Sequence, residues 1–197
     1  HHVFAHHAVQ LDIIKGLFRK NKKIAIGMEM FQRPFQKTLD DYIAERIDEN
    51  EFLKRSEYFK RWSFDYNLYK PILDFARVNK IPVVGLNMER EIIDKVSEKG
   101  RDSLPDEEKK AVPSERDYSN EKYRERINEV FKMHKDWEKK NFDYFYQSQL
   151  IWDETMSQST DAFLRKNPDY QFVVIAGQGH LEYGTGIPGR TYRRNGE

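Results

Sequence analysis

Four of the six histidines in the chain fall within its first seven residues, as His1-His2-Val3-Phe4-Ala5-His6-His7, followed by Ala8-Val9-Gln10. A fifth closes a glycine-bracketed stretch, Gly177-Gln178-Gly179-His180. Imidazole is a common neutral metal ligand and titrates near neutral pH, so this pattern suits metal binding or acid–base chemistry. A run opening His-His at a chain start can be an expression tag, which carries no fold information. Here Val3-Phe4-Ala5 interrupts it and an amphipathic segment follows, which argues against a tag. Glu29 is the other unusual residue. It stands inside an apolar run, where an unpartnered carboxylate is costly, so it must be paired, protonated or metal-bound. A structural ion pair and a functional group both satisfy that requirement. Two histidines with a carboxylate could hold a divalent metal with an open position and lower the pKa of bound water to about 7. Without metal, Glu29 and a histidine could serve as general base and acid.

These groups need elements to position them. Three β-branched, nearly continuous apolar runs, 23–29, 81–87 and 170–176, read as buried strands of a parallel sheet. Helical patterns lie between them. Leu11, Ile14 and Phe18 are spaced as a helix over 8–18, and Tyr69, Ile72, Leu73 and Ala76 over 66–79. A further helix over 88–99 ends at Gly100, a suitable C′ residue. Residues 101–119 are charged, with Pro105 and Pro113, and read as an exposed connection holding a short helix over 105–110. Helices over 120–134 and 142–166 follow, the second aromatic-rich at its start. The alternation predicts an α/β fold, a mainly parallel central sheet with helices on both faces and an additional helical segment in the second half. At 197 residues, the reading is a single domain over 1–197, truncated at both termini.

In open parallel sheets, ligands bind beyond the carboxyl ends of the strands. Glu29, Asn87 and His180 end or follow the three runs, and a strand before His1 would bring His1, His6 or His7 to the same edge. His6 and His7 are adjacent on a helix, so at most one of them faces such a crevice. Asn87 also reads as a plain strand-end cap, and His134 as a surface residue. Tyr146, Gln149 and Asp153 share one helix face, either lining a pocket or anchoring the helix to the sheet. Arg190, behind Gly184-Thr185-Gly186-Ile187-Pro188-Gly189, either contacts an anion or is solvated.

Composition excludes several classes. Lys+Arg number 34 and Asp+Glu 33, so a net charge of +1 gives no basis for nucleic acid as a partner. There is no cysteine, which removes disulfides, thiolate catalysis and cysteine-ligated metal. No run of about eighteen apolar residues exists to span a membrane.

The motifs are ordered. His1, His6-His7 and Gln10 come first, then Gly27-Met28-Glu29-Met30-Phe31 and Gln36, then Phe145-Tyr146-Gln147-Ser148-Gln149 with Trp152-Asp153-Glu154. Ala176-Gly177-Gln178-Gly179-His180 and Gly186-Ile187-Pro188 complete the set. This pattern resembles the ChaN-like haem-binding uptake proteins, a family similar in fold to erythromycin esterases and Tiki-type metalloproteases. The family's Gly-Glu pair just before the position of His1 is missing. The resemblance implies haem bound through tyrosine at the interface of a haem-dependent homodimer, with propionates held by histidine and lysine of the partner. It also implies a cell-envelope location, with membrane contact through a lipid anchor. Tyr146, inside a matching motif, is the first choice for the iron and Tyr183 the second; His180, His6, His7, Gln10, Glu29, Gln149, Asp153 and Arg190 are further candidates. No lysine in a matching motif stands out. The alternative is a metal-dependent or His/Glu-assisted hydrolase using Glu29, His1 and His180.

Overall fold

A computed structural model describes residues 3–196. It divides into two compact units, His1–Asn87 with Ala162–Gly177, and Met88–Asp161 with Gln178–Glu197. The first unit is α/β and carries the sheet. Strands β1 (Ile24–Gln32), β2 (Val83–Asn87) and β3 (Gln171–Ile175) are all parallel, in the order β2-β1-β3. β1 is central and buried along its whole length, which explains why it reads as unbroken apolar sequence. It runs on to Gln32, past the expected end at 29, through an irregularity in its pairing with β2 between Met28 and Gln32. Gly27 is required here for packing: a methyl group on it would sit 2.5 Å from the Phe172 ring and 2.9 Å from Leu86.

Helices cover both faces of the sheet. The first, α1 (Phe4–Lys20), starts earlier than its apolar spacing indicates and takes His6 and His7 into its first turns. Next come three short helices that the sequence pattern does not predict, α2 (Gln36–Ile43), α3 (Glu49–Arg55) and α4 (Tyr58–Arg61). Their buried face includes Leu39, Tyr42, Phe52 and Tyr58, yet α2 also buries Asp41, held by Lys37, Arg46 and Arg55. α5 (Lys70–Asn79) is shorter than the 66–79 pattern. Residues Tyr66–Leu68 form a separate 3-10 turn capped by Asp65, and Pro71 then opens α5 in its first turn, where a missing N–H is harmless. Ile14, Ile26, Met28, Tyr42, Phe52, Ile72 and Ile175 are among the residues of this unit's core.

The second unit is helical. It holds α6 (Arg90–Lys99), α7 (Asp106–Ala111), α8 (Glu121–Lys132) and α10 (Ile187–Asn195), and all of α9 (Phe142–Lys166) up to Asp161. Asn120 caps α8 by accepting from Tyr123 N. Two apolar clusters form its interior, one around Met88, Ile92, Ile93, Val96 and Ile151, the other around Tyr123, Ile127, Tyr146 and Leu150. No helix among the described residues is long and apolar enough to cross a membrane.

Candidate functional site

In the sheet-bearing unit, polar groups gather where the strands end. Glu29 is 4% exposed, and its Oε2 accepts from the backbone N–H of Gly177, just beyond β3, at 2.6 Å. Asn87, the last residue of β2, is buried and donates through Nδ2 to the Glu29 carbonyl at 3.0 Å. All three strands thus meet at one edge, as an open parallel sheet requires. The buried carboxylate is satisfied by main chain, and Asn87 ties two strands together. His7 is buried on α1. Its Nδ1 lies 2.9 Å from Gln10 Oε1, and its ring meets Tyr69 edge-on at 4.7 Å. Burial holds the His7 imidazole below its usual value, against the hydrogen bond that it donates to Gln10. Burial also pushes the Tyr69 phenol up to about 12, the nearby charge of Glu29 adding to the effect. His6, next along, is exposed. His1 lies outside the described residues.

In the helical unit a second group forms around Asp153, which is 1% exposed on α9. His180 follows the glycine turn in a 3-10 segment, Gln178–His180, and its Nδ1 lies 2.5 Å from Asp153 Oδ1. The Tyr123 hydroxyl donates to Asp153 Oδ2 at 2.7 Å, and Trp152 borders the imidazole edge-on. A carboxylate on Nδ1 fixes the tautomer and orientation of the ring. Burial drives the Tyr123 phenol well above its ordinary value and Asp153's charge reinforces this, so the phenol remains a hydrogen-bond donor. Gly186 belongs to the same assembly: a Cβ there would collide with the His180 carbonyl and approach Asp153 Oδ2 to 3.1 Å.

The tyrosines separate sharply. Tyr146 is 1% exposed, packed near Tyr123, Tyr118 and Phe142, with its hydroxyl buried and unpartnered. Burial raises its phenol, against the charges of Arg190 and Arg124. Tyr183 is 88% exposed and held in the left-handed region at φ 56°, ψ 11°, which is uncommon for a bulky side chain. It borders a groove of about 380 Å³ whose other walls include Lys122 and Arg126 of α8 and Thr185. Gln149 is half-buried.

Arg190 is 3% exposed, the opposite of a solvated arginine. Its Nη1 lies 2.6 Å from Glu154 Oε1 and its guanidinium covers the Tyr123 ring at 4.6 Å. Glu154 is fully buried and also receives Arg193, Arg194 and the backbone N–H of Asp117. Sequence reasoning passed over Lys122, Tyr123, Arg126, Glu154 and Arg193. Glu154 alone had a signal, as the neighbour of Asp153 in a quoted motif.

A three-stranded parallel sheet with polar groups gathered at its strand ends defines an open α/β fold, in which ligands bind beyond the strand ends. Within it, the sequence matches the family described as "Haem-binding uptake, Tiki superfamily, ChaN" over residues 1–191, and the chain belongs to that family. Among solved structures it is similar to ChaN of Campylobacter jejuni, described with cofacial heme binding. The TM-score is 0.69 at 16% identity, with 97% of this chain and 71% of that chain covered. A mutant of the erythromycin esterase EreC in its open conformation aligns with a TM-score of 0.48 at 13% identity, covering 93% of this chain and 62% of that one. At such identities the likeness to ChaN establishes the fold. No curated protein matches the chain. Among the described residues, no three His, Asp or Glu side chains group as ligands for a metal ion, so the divalent-metal alternative has no support here.

Proposed function

We propose that the chain binds haem, with the Tyr183 phenol as the iron ligand. The observation that carries this reading is Tyr183 itself, an 88% exposed aromatic held in a left-handed conformation at the edge of a groove lined by Lys122 and Arg126 together with Glu125 and Glu129. Backbone strain of this kind concentrates at ligand sites. Family membership supports haem as the ligand, and the donor set fits it. Arg126 is fixed by donation from Nη1 to the Gly179 carbonyl at 2.7 Å, while its Nε and Nη2 have no partner. The charges of the Arg126 guanidinium and the Lys122 ammonium suit the two propionates, here supplied by the chain that carries the tyrosine rather than by a partner. Glu125 and Glu129, on the same groove, confine carboxylates to the cationic positions. A phenolate oxygen on iron favours the ferric state, which suits carriage of haem.

Burial makes Tyr146 the weaker candidate, because a haem plane reaching its hydroxyl would have to displace the Tyr123–Ile127–Leu150 cluster. A ligand held by an exposed tyrosine keeps its other face open, and a second copy of the chain is the natural cover, giving a haem-dependent homodimer. Haemin titration should give an absorption spectrum of phenolate ligation that Tyr183→Phe removes and Tyr146→Phe leaves intact. Loss of that spectrum in Tyr146→Phe alone would refute the assignment. Sedimentation with and without haemin tests the dimer.

A second reading is favoured by the Asp153–His180 pair, whose geometry is that of an oriented general base. In it, His180 Nε2 takes a proton from water while Asp153 and Tyr123 hold the ring. An esterase and peptidase panel on wild type and His180→Gln tests this, and equal turnover by the two proteins would end it.

A further inference from the structure

At the start of α10, still within the helical unit, lies a cavity of about 270 Å³ walled by Arg190, Arg193, Asn120 and Thr185, with Asp117 on one side. Its chemistry follows from counting donors and acceptors. Glu154 is the buried acceptor behind the wall. A carboxylate has about four lone-pair positions. Glu154 already accepts from Arg190 Nη1, Arg193 Nη2 through both oxygens, Arg194 Nη2 and the Asp117 N–H. It is saturated. Arg190, 3% exposed, still has Nε and Nη2 buried without a partner. Stacking on Tyr123 covers the face of the guanidinium but leaves its in-plane N–H groups unanswered.

The other walls add donors rather than acceptors. Asn120 uses its Oδ1 to cap α8 through Tyr123 N at 2.9 Å, which leaves its amide NH₂ as a donor. Arg193 is one-third exposed, so the cavity can be entered from solvent. Asp117 is the opposing charge, but one of its oxygens is occupied by the Ser119 N–H and hydroxyl at 2.8 and 2.6 Å. Arg193 Nη1 approaches its other oxygen only to 3.6 Å. The walls come close without side chains to fill the space: a Cβ on Gly189 would strike the Gly184 carbonyl. Native proteins seldom leave buried guanidinium donors unanswered, so these N–H groups call for an acceptor.

We infer that this cavity is an oxyanion site, in which Arg190 and Arg193 hold a carboxylate or phosphate group through charge-assisted hydrogen bonds. Thr185 lines both this cavity and the Tyr183 groove, so the two lie side by side on the same loop. The oxyanion therefore has two possible sources, a haem propionate reaching past Thr185 or a small free anion. The first rests on the haem reading above; the second does not.

The test uses two probes on the whole chain, wild type and Arg193→Gln. Arg193 is the chosen position because it is partly exposed, and Glu154 keeps Arg190 and Arg194 when it is replaced. Inorganic phosphate is titrated by calorimetry, and haemin is compared with haemin dimethyl ester, which has no free carboxylate. If propionate is the source, Arg193→Gln weakens haemin about tenfold, equivalent to roughly 1.4 kcal/mol, and leaves the ester unaffected. If a free anion is the source, phosphate binds wild type and is weakened by a similar factor, with haemin unchanged. Failure of wild type to bind haemin while phosphate binding depends on Arg193 would end the haem reading and leave the oxyanion site standing. Phosphate binding that ignores Arg193, or none, together with equal haemin and ester affinities in both proteins, overturns the inference.

Discussion

Replacing Glu154 by glutamine tests the energetics of the helical unit most directly. The substitution keeps the shape and one acceptor but removes the negative charge from beneath Arg190, Arg193 and Arg194, whose closest contacts are 2.6, 2.7 and 2.6 Å. Arg190 and Glu154 are both almost fully buried, so screening by water is slight there, whereas Arg193 is one-third exposed and recovers part of its hydration. Breaking a buried pair by removing one partner costs about 3–5 kcal/mol, because the remaining charge is left uncompensated. The upper half of that range is expected, since three cations lose a shared anion. Burial alone would raise the Glu154 carboxyl. The hydrogen bond from Arg193, the Asp117 N–H and the charges of Arg190 and Arg193 outweigh it and hold the group below 4.5. A depressed carboxyl pKa adds stability that is fully present above the unfolded value and is lost as pH falls through the folded one. The gap between wild type and Glu154→Gln should therefore be constant from pH 7 to 5 and shrink below about 4.5. Urea denaturation followed by tryptophan fluorescence at pH 7, 5 and 3.5 measures it. A gap under about 1 kcal/mol at pH 7, against the 3–5 expected, or one that persists undiminished at pH 3.5, would refute the reasoning.

Two further outcomes concern the sheet-bearing unit. Gly27→Ala forces a methyl against Phe172 and Leu86 and should destabilise by about 1–3 kcal/mol, with Phe172→Leu restoring part of the loss; additivity of the two changes in calorimetric melts would show that they do not touch. His7 is held below its usual pKa of 6.5 by burial, so the unfolded chain binds more protons and wild-type stability should fall as pH drops from 7 to 5. His7→Phe should flatten that slope, and denaturation curves at the two pH values read it.

The sheet was legible because a strand buried on both faces carries its signal in every residue, as β1 does from Ile24 to Gln32, whereas β3, expected to be buried, is only partly so and was read from its β-branched run. The long helix was equally clear, its bounds at Phe142 and Lys166 agreeing with the pattern. α2 was not, because it is only eight residues long and its buried face includes an aspartate. Asp41 is tolerated there only through Lys37, Arg46 and Arg55, up to fourteen residues away. The candidate residues were found one by one, but their partners were not. Glu29 answers to a backbone N–H 148 residues on, His180 to a carboxylate 27 residues back, and Arg190 to Glu154 across 36 residues. Such pairings depend on the packing of whole elements, which residue types and spacing do not encode. Tyr146 and Tyr183 were close rivals as sequence, and only burial separates them.

The side chain of Gln36, at the start of α2, accepts from Gly85 N and donates to the Val83 carbonyl, both at 2.8 Å. Because Pro82 O is turned toward β1, where it receives Ile26 N, the main-chain groups of residues 83 and 85 point the other way. One amide therefore stands in for the missing neighbour of β2, offering the same donor and acceptor that another strand would bring. A bare strand edge is a template for unwanted pairing between molecules. Here the template is blocked by a single glutamine, so self-association of this chain through β2 would first require that side chain to let go.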